Sequence, residues 1–333
     1  LLIADEVHRY GADVYARALE DAFDERLGLT ATYEREDYGI ERYLTPYFSP
    51  RRNFYAVGDE IVADCGYARG LADKILARFR VGLLGVNLTS SEQLEYQEYD
   101  EQAKRSRMFL INEHNCPEEP FGEFMRAVTK LSEGNNNETR STIHARQYLN
   151  AFSKRRALLA DCQRKLSALE LLFPILTLAK RTLVFTETVH SAQRAAETLR
   201  QLGMPAFDYT SKLTREKRKE RLSDFRSGKI RVLAAPRVLD EGIDVPEADI
   251  GVIVAASRSR RQMIQRMGRI IRPKPDDRLA TFFVLYVHNT AEDPNYGAHS
   301  TFLSEMMDTA EEVTIFPNQV NQIELLMWFM NLK

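Results

Sequence analysis

The second half of the chain alternates short apolar runs with longer polar segments, and this alternation limits the fold more than any other feature. Five apolar runs have the length and residue types of strands: 182–186, 206–209, 231–235, 250–255 and 281–287. The intervening segments have the apolar spacing of helices at 189–202, 214–226 and 260–271. Thr214 and Ser259 are predicted N-caps. Because strands that alternate with helices pair in parallel and are covered by helices, the sequence predicts an α/β fold with a parallel sheet.

The first half of the chain has a less regular pattern. Its predicted strands are 1–6, 26–30 and 80–86. Its predicted helical segments are 12–23, a polar region 91–149 with a tip near 134–138, and a long helix from about 151 to 172. A chain of 333 residues is long enough for two domains. We therefore expect a first domain at 1–80, a second domain at 81–290 with a helical insertion at about 91–150, and a C-terminal helical extension at 291–333.

Composition narrows the class of protein. Hydrophobic residues make up 44% and charged residues 28% of the chain, and the net charge is −2, which argues against a wholly basic nucleic-acid coat protein. A nucleic-acid motor remains compatible, because its positive charge can line one channel. Three scattered cysteines predict free thiols in a reducing cytoplasm. No apolar run is long enough to cross a membrane, and residues 323–330 are predicted to dock on another surface instead, which in a defence complex could belong to a partner. Leu1 already lies in a strand pattern, which predicts a fragment.

Two adjacent carboxylates, Asp5 and Glu6, follow the first predicted strand. At the carboxyl end of a strand in an open parallel sheet, side chains project into the crevice where ligands bind. One carboxylate there can hold magnesium while the other orients water, although a solvated turn could contain the same residues. After the next strand, the hydroxyls of Thr30 and Thr32 are placed to hydrogen-bond His8 or the carboxylates.

The segment 238–246 has residues suited to a nucleotide. Gly242 lies between a strand and a proline, where it lets the backbone approach a ligand closely. Asp244 can then reach a ribose hydroxyl or the water shell of a metal. The alternative is a tight loop with a solvated acidic run.

The predicted helix 260–271 and the residues just after it combine an apolar face with a polar stripe. Gln265, Arg269 and Arg272 share that stripe, because residues three and four apart are neighbours on a helix. A row of arginine and glutamine beside a buried face suits a phosphate across an interface.

Other basic residues give weaker indications. The run 215–221 alternates with acids at helical spacing and predicts a solvated helix face. Clusters at 154–156 and 258–261 are equally compatible with phosphate contacts and with solvated faces. The sequence contains no Gly-x-x-x-x-Gly-Lys-[Ser/Thr] motif to cradle the phosphates of ATP.

Taken in order, these segments resemble the motifs of superfamily 2 helicases and translocases. The matching segments are 5–8 for motif II of the DExH type, 29–32 for motif III, 183–186 for motif IV, 238–246 for motif V and 265–273 for motif VI. The resemblance implies tandem RecA-like domains, the first one incomplete, with ATP and Mg²⁺ bound between them. Ala235-Pro236 departs from the family, which usually offers a serine or threonine to a DNA phosphate there.

The resemblance also implies a role for each matching residue. Asp5 would bind Mg²⁺ through water and Glu6 would be the base for the attacking water. Nucleotide contacts are implied for Gly242, Asp244 and Gln265, and arginine fingers for Arg269 and Arg272. Coupling of hydrolysis to nucleic acid is implied for His8, Thr30 and Thr32, and contact with DNA for Thr186.

Within that superfamily the chain looks most like the XPB-type DNA helicases. Arg35-Glu36-Asp37 directly follows motif III and matches an element that this group uses in opening duplex DNA. The helical region at 91–150 lies where the group inserts a thumb that grips DNA. The resemblance thus assigns contact with DNA to Arg35, Glu36 and Asp37.

These features imply an ATP-dependent DNA helicase or double-stranded DNA translocase in DNA repair or related processing. Its expected location is the cytoplasm, at the nucleoid in a prokaryote. Its expected partners are duplex or forked DNA and a nuclease or repair protein, with no membrane. Two alternatives stay open: the motor subunit of a restriction or phage-defence complex, and a nucleic-acid-binding module without ATPase activity.

Overall fold

The computed structural model describes residues 1–30, 33–35, 37–49, 58, 60–134, 139–236, 248–254, 268, 270, 279–296 and 308–331. The chain divides into two compact units, here called the first and the second unit. The first unit contains Leu1–Asp64 and Gln97–Arg155, and the second contains Cys65–Tyr96 and Arg156–Lys333. Most of the helical region therefore groups with the N-terminal residues, whereas the sequence placed it inside the second domain. The domain limits expected from the sequence stay a prediction.

The elements are numbered in chain order. The strands are β1 (Leu2–Asp5), β2 (Arg26–Leu29), β3 (Phe79–Val86), β4 (Thr182–Phe185), β5 (Ala206–Asp208), β6 (Val232–Ala235), β7 (Ile250–Ile253), β8 (Ala280–Val287) and β9 (Glu312–Phe316). The helices are α1 (Thr45–Phe48), α2 (Tyr67–Ala72), α3 (Ser90–His114), α4 (Phe121–Ser132), α5 (Arg140–Ala160), α6 (Gln163–Leu178), α7 (Val189–Gln201), α8 (Arg215–Ser227) and α9 (Gln322–Phe329). A π-helical segment, Ile40–Leu44, runs directly into α1.

The second unit is built on a seven-stranded sheet in which every described pair of strands is parallel, in the order β5-β6-β4-β7-β8-β3-β9. Its central strands are buried on both faces, which explains why they read as continuous apolar runs. On one face, α6 and α7 pack their apolar sides, including Leu172 and Ala195, against Val184 and Phe283. The predicted α/β fold with a parallel sheet is confirmed.

The first unit contains a short parallel pair, β1 and β2, and the helical region of α3, α4 and α5. Strand β1 and the turn after it pack on the π-helical segment through Ala4, Val7, Ile40 and Leu44. The predicted helical region is confirmed, and its core includes Phe124. Over the described residues, none of the helices is both long and apolar enough to span a bilayer.

The helix predicted at 12–23 is wrong. The structure has only a 3₁₀ turn there, Ala16–Ala18. Val14 and Tyr15 are 72% and 51% exposed, and of the apolar side chains of this segment Leu19 packs against the core formed with β1, so there is little burial to stabilise a helix. Short helices depend on such packing for their stability.

The single long helix predicted at 151–172 is also wrong, because α5 ends at Ala160 and α6 begins at Gln163. Cys162 is buried at the break in a non-helical conformation, with φ −49° and ψ 123°. The carboxylate of Glu92 accepts the N–H of Gln163 at 3.0 Å and so satisfies an N-terminal amide of the new helix.

The C-terminal extension is not wholly helical as expected, since β9 adds an edge strand beside β3. Helix α9 follows and docks on α6 and the sheet through Leu325, Trp328 and Phe329, in agreement with the docking predicted for 323–330. Arg80 on β3 caps the C-terminal end of α9. Its Nη1 donates to the carbonyl of Trp328 at 2.9 Å, and its guanidinium lies 4.6 Å from the centre of the Trp328 ring.

Candidate functional site

The two-stranded sheet of the first unit places the N-terminal motif residues at one edge. Asp5 pairs in register with Leu29, so Asp5 and Thr30 lie at the carboxyl ends of adjacent parallel strands. Asp5 is exposed, and its Oδ1 accepts the N–H of Glu6 at 2.8 Å. Glu6 has φ 50° and ψ 46°, a left-handed conformation that is uncommon for a residue with a Cβ. This strained turn directs the chain away from the strand immediately after the two carboxylates.

His8 joins the two motif segments. The residue is 1% exposed, and its Nδ1 lies 2.8 Å from the hydroxyl oxygen of Thr30. The same nitrogen lies 3.4 Å from a carboxylate oxygen of Glu6. From the sequence, Thr30 and Thr32 could bond either His8 or the carboxylates, and the structure has Thr30 at His8. The buried imidazole therefore ties the position of Glu6 to that of β2.

Arg35 connects His8 to Asp37. Its Nη1 donates to the carbonyl oxygen of His8 at 2.7 Å, while Nε and Nη2 donate to the two carboxylate oxygens of Asp37 at 2.6 and 2.7 Å. Both side chains are only 14% exposed. Burial raises the pKa of Asp37, but the hydrogen bonds from Arg35 and the Gly39 N–H, with the charges of Arg35 and Arg126, outweigh it and hold that pKa below its usual range.

Two glycines leave room for the Arg35 side chain. A Cβ on Gly11 would lie 2.7 Å from Cδ of Arg35, and a Cβ on Gly39 would lie 2.6 Å from its Nε and would collide with the carbonyl oxygen of Gly11. Real Cβ atoms do not approach other heavy atoms this closely. The guanidinium is thus held in a slot whose walls are backbone, and its orientation is fixed by that slot as well as by its hydrogen bonds.

Helix α4 is attached to the same network. Nη2 of Arg126 donates to Oδ2 of Asp37 at 2.9 Å, so the carboxylate accepts hydrogen bonds from two arginines, Arg35 and Arg126. One turn earlier, Glu123 accepts the N–H of Tyr38 at 3.3 Å and lies 3.5 Å from Nη2 of Arg42. A continuous set of polar contacts therefore runs from Glu6 through His8, Arg35 and Asp37 to α4.

Sequence reasoning missed Arg126 and Glu123. Both lie within a helical region that had been predicted, but nothing in the local spacing indicates which residue they contact, since Arg126 and Asp37 are 89 positions apart. The glycines that flank the Arg35 slot were the available signal. Gly11 follows the motif II turn and Gly39 follows the Arg-Glu-Asp triplet, where a glycine allows close approach of a side chain to the backbone.

In the second unit, Thr186 lies directly after β4. It is completely buried, its N–H donates to the carbonyl of Ala235 at 2.9 Å, and its hydroxyl lies 3.3 Å from the carbonyl oxygen of Thr188. Thr188 is partly exposed and caps α7 in a capping box with Ser191. The DNA contact predicted for Thr186 stays a prediction, and Thr188 is the nearer of the two to solvent.

The basic clusters are largely paired where the structure describes them. Nη1 of Arg155 contacts Asp100, and Nη2 of Arg156 contacts Glu187. On α8, Lys217 pairs with Glu220 at 2.8 Å, as expected for the solvated face predicted at 215–221. Seven predicted site residues lie outside the described residues: Thr32, Glu36, Gly242, Asp244, Gln265, Arg269 and Arg272. The cluster at 258–261 lies outside them as well.

Asp5 and Glu6 suit a hydrated magnesium ion. An exposed carboxylate at a strand end, with a second carboxylate beside it, provides the oxygen ligands that Mg²⁺ accepts while keeping several waters. Within the described ranges, no group of three or more His, Cys, Asp or Glu side chains is arranged to hold a metal directly.

Comparison with known proteins identifies relatives among helicases. Residues 164–274 match the family described as "Helicase conserved C-terminal domain". The chain is 30% identical over 298 residues to the DNA 3'-5' translocase XPB2 of Sulfurisphaera tokodaii, covering 88% of this chain and 60% of that protein. It is 40% identical over 95 residues to the DNA 3'-5' helicase XPB of Kineococcus radiotolerans, covering 28% of this chain and 17% of that protein. The chain thus spans at most 60% of the length of either relative.

A solved structure has the same fold. The structure of S. cerevisiae Dbp5 bound to RNA and ADP BeF3 superposes with a TM-score of 0.51 at 13% sequence identity, over 99% of this chain and 63% of that one. At this identity the likeness concerns the fold alone. It confirms the RecA-like parallel sheet with flanking helices that the sequence predicted.

Proposed function

Because the chain carries the conserved C-terminal domain of helicases and is related to the XPB-type proteins, we propose that it is the motor region of an ATP-dependent DNA helicase or double-stranded DNA translocase. The observation that carries this proposal is the arrangement of Asp5, Glu6, His8 and Thr30 at the carboxyl ends of β1 and β2. A strained turn, paired carboxylates and a buried histidine have little reason to coincide in a binding module without chemistry.

Each residue at this edge has a role in hydrolysis. Asp5 would hold the water shell of Mg²⁺, which supplies charge neutralisation at the phosphates when it is bound. Glu6 orients the attacking water and accepts its proton. His8 restrains Glu6, because its Nδ1 lies 3.4 Å from a carboxylate oxygen of Glu6. Thr30 fixes the imidazole by its 2.8 Å hydrogen bond, so that movement of β2 is transmitted to the carboxylate.

The remaining site residues are proposed from the resemblance of motifs V and VI. Gly242, Asp244 and Gln265 would contact the nucleotide, and Arg269 and Arg272 would act as arginine fingers on the transferred phosphate. Thr32 would share the coupling role of Thr30. DNA, duplex or forked, is the proposed partner through Arg35, Glu36, Asp37 and Thr186, and repair or related DNA processing in the cytoplasm or nucleoid is the proposed setting, with a nuclease or repair protein as a further partner.

The proposal is tested by measuring ATP hydrolysis by the protein that the complete open reading frame encodes. That protein is used because residues 1–333 include no sequence motif for a loop that cradles the phosphates of ATP. We expect hydrolysis that duplex DNA stimulates, and a loss of about 10²-fold or more in Glu6→Gln, which keeps the size of the side chain and removes the base. Glu98→Gln, at an exposed position of α3, is the matched control and should leave the rate unchanged.

Two outcomes would overturn the proposal. Wild-type protein that binds duplex DNA but shows no hydrolysis would instead indicate a binding module without ATPase activity. Hydrolysis that Glu6→Gln leaves intact would remove the role given to motif II.

A further inference from the structure

A cavity of about 510 Å³ lies at the carboxyl ends of β3 and β9, within the second unit. Asn87 follows β3 and Asn318 follows β9, and both line the cavity together with the N-terminal half of α6. Small-molecule sites have volumes of about 300–1,000 Å³, so the cavity is large enough for one such ligand. None of the residues given a role above in hydrolysis or in contact with DNA lines it.

The strand order places this cavity at a reversal in the sheet. β3 and β8 are neighbours, but the chain continues from them in opposite directions, to β4 on one side and to β9 on the other. Open parallel sheets bind ligands beyond the carboxyl ends of strands at such a reversal, because the two connections diverge and leave a crevice. The cavity at the end of β3 therefore has the position of a binding site.

The inner wall of the cavity is apolar. Leu84 and Val86 contribute to it from β3, Ala168 and Leu171 from α6, and Val320 from the segment before α9. All five belong to, or pack on, the hydrophobic core between the sheet and these helices, so the wall is held in place without a ligand. A wall of aliphatic side chains suits the face of an aromatic ring.

The outer wall is polar and carries little charge. Asn87, Gln163 and Asn318 are exposed residues with carboxamide side chains, and Ser167 adds a hydroxyl. Arg164 is the charged residue of the wall, and the described lining includes no carboxylate. A carboxamide offers a donor beside an acceptor, the pattern with which asparagine and glutamine bind the N6/N7 edge of adenine. An arginine at the same rim suits a phosphate.

Glu92 holds two sides of the rim together. Its Oε1 accepts the N–H of Gln163 at 3.0 Å, and its Oε2 accepts the N–H of Thr89 at 2.8 Å. The segment after β3 and the start of α6 are thus fixed relative to each other before a ligand binds, which lowers the entropic cost of binding. Because Glu92 already satisfies an N-terminal amide of α6, a phosphate at this rim would bind Arg164.

We propose that this cavity binds an adenine nucleotide. The base packs on Leu84, Val86 and Leu171 with its edge against the carboxamides, and the phosphate binds Arg164. Free adenosine monophosphate (AMP) and an unpaired adenosine of a DNA strand offer the same chemistry. This nucleotide site is separate from the hydrolysis of ATP proposed above, because none of its residues takes part there.

The test is photolabelling of the protein that the complete open reading frame encodes, with 8-azidoadenosine monophosphate and peptide mapping. We expect label in peptides that contain 84–89, 163–171 or 318–320, which distinguishes this cavity from the site of hydrolysis. Unlabelled AMP should suppress this labelling at a concentration about tenfold below that of cytidine monophosphate (CMP). Single-stranded oligodeoxyadenylate is the second competitor, and whichever of it and AMP acts at the lower concentration identifies the source of the nucleotide.

Two variants test the rim. Arg164→Gln should lower the labelling about tenfold or more, because a hydrogen bond to a charged group is lost. Gln163→Met keeps the length of the side chain and removes the carboxamide, so the preference for AMP over CMP should fall below about threefold. Arg215→Gln, at an exposed position of α8, is the control for lost positive charge and should be labelled like wild-type protein.

Three results would overturn the inference: label only outside these peptides, equal labelling of Arg164→Gln and wild-type protein, or equal competition by AMP and CMP. The proposed function fails separately, if wild-type protein that is labelled in the cavity does not hydrolyse ATP with duplex DNA present.

Discussion

Replacing Gly39 by alanine tests whether the Arg35 slot is as tight as its geometry indicates. Gly39 has φ −68° and ψ −26°, a conformation in which alanine is normally the better residue by about 0.5–1 kcal/mol. The added Cβ would lie 2.6 Å from Nε of Arg35 and 2.9 Å from Oδ1 of Asp37, and would collide with the carbonyl of Gly11. To make room for the Cβ, backbone atoms and buried polar groups would have to move, and these yield less easily than the end of a flexible side chain.

The clash should outweigh the backbone preference. Overpacking of a well-filled site costs about 1–3 kcal/mol, so a net loss of roughly 1–2 kcal/mol is expected for Gly39→Ala. Gly66→Ala is the control for the change from glycine to alanine, because nothing lies within 4 Å of a Cβ at that position and its φ of −65° suits alanine. Gly66 lies in the second unit, so its effect is read from the amides of α2, which it precedes. Its effect should stay below about 1 kcal/mol in either direction.

Hydrogen exchange of the amides at 37–49 is the suitable assay, since it reports on the first unit, whereas one denaturation curve would mix the two units. A loss of roughly 1–2 kcal/mol should accelerate exchange about 5- to 30-fold in Gly39→Ala. Exchange at the wild-type rate, or slower, would refute the reasoning, because the helical preference of alanine would then have prevailed over the contacts read from the structure.

Two further predictions concern buried charges. Nζ of Lys165 lies 2.7 Å from Glu292 with its side chain 0% exposed, so Lys165→Met should destabilise the second unit by about 3–5 kcal/mol, and adding Glu292→Leu should recover much of this, as measured by hydrogen exchange of the amides of α6; a double variant no more stable than the single one would contradict it. The depressed pKa of Asp37 means that its contribution to stability is present above its ordinary pKa of 3.8 and is lost as pH falls through the lower folded value. Wild-type protein and Asp37→Asn should therefore differ in stability at neutral pH, begin to converge as pH falls below 3.8, and coincide only below the lower folded pKa, as measured by protection of the amides at 37–49 from hydrogen exchange; a constant difference would argue against the ion pair.

The central strands of the second unit could be predicted because they are buried on both faces, and a strand in that environment is apolar throughout. The elements that were not predicted from the sequence depend on contacts with residues far away in the chain. Strand β9 pairs with β3, which lies more than 200 positions earlier, and it is only partly buried, so its five residues have no apolar run. The break before α6 depends on Glu92, which caps the new helix from α3.

The contacts of the candidate site fall into the same two groups, those that the sequence indicates and those that depend on distant parts of the chain. The bond between His8 and Thr30 was one of the contacts that the sequence allowed, because Thr30 directly follows β2, His8 lies three residues after β1, and parallel pairing brings the ends of these strands together. The bond between Arg126 and Asp37 did not, because the choice of partner for one arginine on a helix depends on how the helix docks. Motif order predicts contacts near strand ends, whereas contacts made by helix surfaces require the structure.

The position of Arg35 bears on how the Arg-Glu-Asp segment acts on DNA. To bind a phosphate, its guanidinium would have to give up its bonds to the carbonyl of His8 and to both oxygens of Asp37. Hydrogen bonds to charged groups contribute about 1.5–3 kcal/mol each, and a bidentate phosphate contact replaces at most two of the three. Release would also leave Asp37 with the charge of Arg126 alone. The exchange is unfavourable by about the value of one such bond before any rearrangement of the slot is counted. A contact between Arg35 and DNA would therefore require Arg35 to be released from both His8 and Asp37.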